Sequence, residues 1–94
     1  MTTIEDYISS PGEILQEEFL EPLGISQYRL AKAIGKSQSA VSDIVHGRRA
    51  ITPQMAVLLA GALGTTPQFW LNLEAHYRLK LIEEHGVPQV VALV

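Results

Sequence analysis

The chain has 94 residues, of which 47% are hydrophobic and none is cysteine, and its formal net charge is −3. This length serves one small core rather than two, so residues 1–94 are expected to form a single domain. No stretch approaches the roughly 18 uninterrupted apolar residues of a membrane span, the absence of thiols removes disulfides and thiolate metal sites, and Met1 to Asp6 carry neither the basic segment nor the apolar run of a secretory signal, so a reducing cytoplasm without membrane association is expected.

Helix punctuation recurs along the chain and strand alternation is nearly absent, which predicts an all-α fold. Residues 1–10 are left as an N-terminal arm. The first helix is expected from about Gly12 to Leu20, with Ile14, Leu15 and Phe19 on its apolar face and with Pro22 and Gly24 ending it. Ser26 is placed to cap a second helix, Gln27 to Ile34, which Gly35 terminates. Ser37 caps a short third helix whose inward residues are Ala40 or Val41, Ile44 and Val45, with Gly47 closing it. Residues 26–47 therefore read helix, glycine turn, helix over the length of a helix-turn-helix.

Thr52-Pro53 and Thr66-Pro67 open two further helices, each with proline at the first helical position. Met55, Leu58, Leu59 and Leu63 supply the buried stripe of the fourth. The fifth, residues 67–84, carries Trp70, Leu73, Tyr77 and Leu81 on one side and Leu71, Ala75, Leu79 and Ile82 on the other. A helix apolar on two faces packs its own core with one and a partner with the other, so Leu71, Ala75, Leu79 and Ile82 are the expected homodimer interface. Residues 87–94 form a short apolar, β-prone tail, able to pair across a dimer, to contact another protein or simply to fray.

Charge is segregated along these elements. Residues 1–25 carry six acids and no Lys or Arg, giving −6; residues 26–50 hold Arg29, Lys32, Lys36, Arg48 and Arg49 against Asp43 alone, giving +4; residues 51–94 come to −1. A basic block between acidic ones predicts one anion-binding face, with a merely solvated surface as the plain alternative. In a helix-turn-helix the second helix enters the major groove of double-stranded DNA, which assigns base reading to Gln38, Ser39, Ser42 and Asp43. Gln27, Lys36, Ser37, Arg48 and Arg49, at helix starts and in the loop after the reader, are the expected phosphate contacts. One short reader with mainly neutral donors discriminates weakly, so a twofold dimer on a palindromic operator is expected.

Several segments carry a family resemblance: Pro11-Gly12-Glu13-Ile14-Leu15, Glu18 through Gln27, Ala31-Lys32-Ala33-Ile34-Gly35, Gly47-Arg48-Arg49 with Ile51-Thr52, and Gly64 through Leu73. Over about residues 9–82 the chain resembles the HigA-type, or VapI-like, antitoxins of the XRE helix-turn-helix family. The resemblance implies a five-helix, phage-repressor-like domain with a long C-terminal helix. It also implies a dimer that represses its own operon and neutralises a HigB-type toxin, a ribosome-associated mRNA ribonuclease of the RelE class. The acidic block at Glu13, Glu17 and Glu18 would suit such a basic ribonuclease. Many relatives start the reader with basic or bulkier polar residues, whereas this chain has Gln38-Ser39-Ala40, so operator sequence does not transfer.

Other classes find less support. His46, His76 and His85 are widely spaced, no glycine-rich phosphate loop is present, and no catalytic residues, metal site or cofactor are expected. His46 is placed to face phosphates or to cap the end of the reader. A stand-alone transcriptional regulator without a toxin, and a protein-interaction module lacking DNA binding, stay open beside the antitoxin reading.

Overall fold

The computed structural model describes residues 9–94, so most of the expected N-terminal arm lies outside the described residues. Five helices follow in order, and each begins the same way. A Ser or Thr in extended conformation accepts a hydrogen bond through its hydroxyl from the backbone N–H three residues on. Ser10 does so from Glu13 at 3.2 Å, Ser26 from Arg29 at 3.0 Å, Ser37 from Ala40 at 3.1 Å, Thr52 from Met55 at 3.2 Å and Thr66 from Phe69 at 3.1 Å. Each satisfies one N–H that the helix itself leaves open. The helices are α1 (residues 11–23), α2 (Gln27–Ile34), α3 (Gln38–Val45), α4 (Pro53–Leu63) and α5 (Pro67–His85). No strand occurs among the described residues, and the tail after Gly86 has no regular secondary structure and is exposed.

The first helix departs from expectation at both ends. It starts at Pro11, because Ser10-Pro11 is the same cap-and-proline pair as Thr52-Pro53 and Thr66-Pro67, and it runs through Pro22 instead of ending there. It is α-helical over Pro11–Ile14, π-helical over Leu15–Leu20 and α-helical again over Glu21–Leu23. A proline in an unbroken α-helix drives its ring against the carbonyl four residues earlier. Here the turn before Pro22 is widened, the Glu21 N–H donating to the Gln16 carbonyl five residues back, which relieves that conflict. Termination falls to Gly24 at φ 66°, with the Ile25 N–H donating to the Leu20 carbonyl at 2.9 Å. At the other end of the chain α5 extends one residue past the expected Glu84, to His85.

The core gathers Leu15 and Leu20 of α1, Leu30, Ala31 and Ile34 of α2, Val41 and Ile44 of α3, Ile51, Met55, Ala56, Leu59 and Ala60 around α4, and Trp70 of α5. Trp70 is fully enclosed. Its indole N–H donates to the Thr65 hydroxyl at 2.7 Å, and its ring meets Phe19 and Phe69 at centroid distances of 5.2 and 5.1 Å. Phe69 meets it edge-on and Phe19 at a tilt of 51°, and the Phe19 contact ties α1 to α5.

The N-terminus of α1 abuts the C-terminus of α3 at Gly12. A Cβ at this position would lie 1.9 Å from the Ile44 carbonyl oxygen and 2.7 Å from that of Val45. The approach also opposes the positive end of one helix to the negative end of the other, which is favourable. Because the obstruction is backbone, no side chain can swing aside to admit a methyl group. Gly12→Ala is therefore expected to destabilise by at least about 2 kcal/mol and to lower the melting temperature by more than about 8 °C. Thermal denaturation followed by circular dichroism checks this, and an unchanged Tm would contradict the contact.

Candidate nucleic-acid interface

The turn between α2 and α3 sets the candidate reader. Gly35 adopts φ 68°, a left-handed conformation that favours glycine, and its N–H donates to the Lys32 carbonyl at 3.3 Å while that of Lys36 donates to Ala31 at 3.0 Å. This closes α2 abruptly, and α3 starts three residues after Gly35, behind its Ser37 cap. Leu30, Ala31 and Ile34 of α2 face Ala40, Val41 and Ile44 of α3 across the core, and the small Ala31 and Ala40 allow a close crossing. Burial of these positions leaves Gln38 and Ser39 exposed on the first turn of α3, with Ser42 and Asp43 partly exposed one turn later.

The proposed phosphate residues lie on three segments: the start of α2, the turn before α3 and the loop after it. Gln27 is the first residue of α2 and is half-buried, whereas Lys36, Ser37, Arg48 and Arg49 are exposed. Lys36 and Arg49, thirteen positions apart in sequence, line one shallow depression together with Ala50, Thr52, Gln54 and Met55. His46 caps the far end of α3. Its Nδ1 lies 2.8 Å from the Ser42 carbonyl and 3.3 Å from the Ser42 hydroxyl, so Nδ1 carries the proton that the carbonyl accepts.

Asp43 is occupied within the chain. Its carboxylate accepts from Arg48 Nε at 3.2 Å and pairs with Arg49 Nη2 at 3.7 Å. Its carbonyl accepts from the backbone N–H groups of Arg48 at 2.7 Å and Arg49 at 3.2 Å. The loop that follows is tied at its other end by a residue that sequence reasoning missed. Glu74 of α5, largely buried, accepts from the Ile51 N–H at 2.9 Å through Oε1 and pairs with Arg78 through Oε2. Nothing local marks this contact, because the partners are 23 residues apart.

On α5 the two expected apolar faces are unequal. Trp70, Leu71 and Leu73 all pack on the core, Tyr77 and Leu81 are half-buried, and Ala75, Leu79 and Ile82 are exposed. Of the four residues on the expected dimer face, Leu71 alone is partly covered by the chain's own core. The N-terminal half of α5 lies against the body on both sides of Trp70, and the free face is confined to its last turns. Among the described residues, no three of His, Cys, Asp or Glu come together in a metal-holding group, and no helix is long and apolar enough to cross a membrane.

A helix-turn-helix family model matches residues 17–70 of the chain. Virulence-associated protein I of Dichelobacter nodosus is 45% identical over 74 residues, which span 79% of this chain and 68% of that protein. Antitoxin HigA-1 of Vibrio cholerae is 48% identical over 65 residues, 69% of this chain and 61% of that protein. Among solved structures, the Pseudomonas aeruginosa antitoxin HigA with the higBA promoter superposes with a TM-score of 0.80 at 35% identity, covering 94% of this chain and all of that one.

The Glu74 contact makes a direct prediction. Glu74→Ala leaves the Ile51 N–H without its acceptor and is expected to cost about 1–3 kcal/mol. Helical content at low temperature should be retained, and protection of the Ile51 amide in hydrogen exchange should fall. Wild-type protection in the variant would show that the loop is held by other means.

Proposed function

Because the chain belongs to the XRE-type helix-turn-helix family that includes the HigA antitoxins, we propose that it binds operator DNA as a homodimer, represses its own operon and neutralises a HigB/RelE-like mRNA ribonuclease in the cytoplasm. The chain is not an enzyme; its family is one of DNA-binding regulators and antitoxins. The observation that carries the DNA half is the exposed first turn of α3, where Gln38 and Ser39 stand clear of the core, with Lys36 exposed before the helix and Arg48 and Arg49 exposed after it. Gln38 presents an amide able to pair with both N6 and N7 of adenine, and Ser39 a hydroxyl able to bond several base edges. Lys36, Arg48 and Arg49, with the helix starts at Gln27 and Ser37, supply the phosphate contacts. The whole chain serves as one helix-turn-helix domain.

Dimerisation follows from energetics and from the free face of α5. Each bidentate base contact discriminates by only about 1–3 kcal/mol, so two readers on a palindrome with half-sites about 34 Å apart supply what one cannot. Leu79 is 60% exposed and Ile82 47%, and with Ala75 they offer a surface that a second copy can cover. The toxin half rests on the likeness to HigA-1 and is tested by co-purification with the product of a ribonuclease-like reading frame beside this gene.

Fluorescence anisotropy with a duplex from the gene's own upstream region tests the DNA half. The wild type is expected to bind it in preference to random DNA, with affinity falling steeply as salt rises. Gln38→Ala/Ser39→Ala should abolish the preference while leaving the salt dependence nearly unchanged. No preference by the wild type would leave a protein-interaction module as the better account. Leu79→Arg/Ile82→Arg should convert a dimer to a folded monomer in light scattering and weaken operator binding; a monomeric wild type, or a variant that stays dimeric, would place the interface elsewhere.

A further inference from the structure

Asp43 is the single acid within residues 26–50, and it sits at the centre of that basic block. Four contacts converge on it, two to its carbonyl from the N–H groups of Arg48 and Arg49 and two to its carboxylate from their guanidinium groups. Exposed ion pairs of this kind contribute little to folding, with all three side chains between 33% and 60% exposed. Their consequence is for placement. Two long cationic side chains that would otherwise sweep the solvent are drawn to the reader's edge, and one unit of their charge is offset before any DNA arrives.

Building on the proposed DNA-binding function, we propose that Asp43 is a positioning and specificity-setting residue. It aims Arg48 and Arg49 and tempers their attraction for DNA of any sequence, so that it governs the ratio of operator to random-sequence binding without itself reading a base. A carboxylate beside a phosphate backbone repels it, while the same carboxylate holds the arginines where only a correctly seated duplex meets them. A duplex seated out of register meets the repulsion without the aligned arginines. The carboxylate is already paired inside the chain, Oδ1 with Arg48 and Oδ2 with Arg49.

Anisotropy titrations at several salt concentrations test this, with the upstream duplex and a random duplex of equal length as probes. The proteins are the full chain and its Asp43→Asn, Asp43→Glu, Arg48→Ala/Arg49→Ala and Asp43→Asn/Arg48→Ala/Arg49→Ala variants. Asp43→Asn should keep the wild-type circular dichroism and bind the random duplex about three-fold more tightly, with a salt slope steeper by about one unit. Its preference for the upstream duplex should shrink accordingly. Asp43→Glu should restore the wild-type ratio, and in the Arg48→Ala/Arg49→Ala background the Asp43→Asn effect on that ratio should disappear. Weaker binding of Asp43→Asn to the upstream duplex with random binding unchanged would make Asp43 a base reader and overturn the proposal, as would an undiminished effect without the arginines. A wild type with no preference between the duplexes would overturn the DNA-reading function itself, an outcome distinct from both.

Discussion

An isolated helix of eight residues is unstable in water, since the cost of its nucleus is spread over too few hydrogen bonds. The reader α3 has that length, and its free face must carry polar residues, so its position depends on what holds it from outside. Three sides are held. Its start is fixed by the left-handed turn at Gly35 and the Ser37 cap, its inner face by Ala40, Val41 and Ile44, and its end by the backbone of α1 at Gly12. The last contact is the least forgiving, because it is made by main chain on both sides. Every side chain with a proposed role at the DNA surface takes its place from a helix that its neighbours keep in register.

Charge, too, is distributed by element. Acids cluster on α1, where Glu13, Glu17 and Glu18 are exposed, while the cations of residues 26–50 fall at exposed positions of α2 (Arg29 and Lys32), at the turn before α3 (Lys36) and in the loop after it (Arg48 and Arg49). Lys36 and Arg49 meet across one depression even though the whole of α3 lies between them in sequence. The fold thus gathers charge that composition averages away, and net charge is a poor guide to what a domain of this kind binds.

How much of this could be read beforehand depended on range. The caps at Ser26, Ser37, Thr52 and Thr66 were legible because a cap and the N–H it serves are three residues apart, and Gly35 because a left-handed residue leaves its mark on the residue type itself. Ser10-Pro11 carried the same signal as its two later counterparts and passed unrecognised. Pro22 was misread because a proline reads as a stop, and whether a π turn can absorb it depends on how α1 is anchored at both ends. Gly12 looked like any helix-opening residue; only the arrival of α3 makes its missing Cβ necessary. The exposure of Gln38, Ser39, Lys36, Arg48 and Arg49 follows from the phase that the helix-turn-helix pattern fixes. The engagement of Asp43 by both arginines escaped notice, although five- and six-residue spacings across a glycine turn bring such groups together.

The division of α5 shows why amphipathic pattern alone could not separate core from interface. Leu71 and Leu79 are both leucines on one predicted stripe, yet the first packs on the body and the second is exposed. What separates them is where the helix runs off the body, a property of the four helices beneath it. Glu74 lies close to that transition. Its carboxylate reaches inward to the Ile51 N–H, and its ion pair with Arg78 points along the helix toward the exposed turns. The exposed end of α5 and the loop that carries Arg48 and Arg49 are therefore joined through one side chain. Displacing Arg78 changes the environment of the carboxylate that anchors that loop.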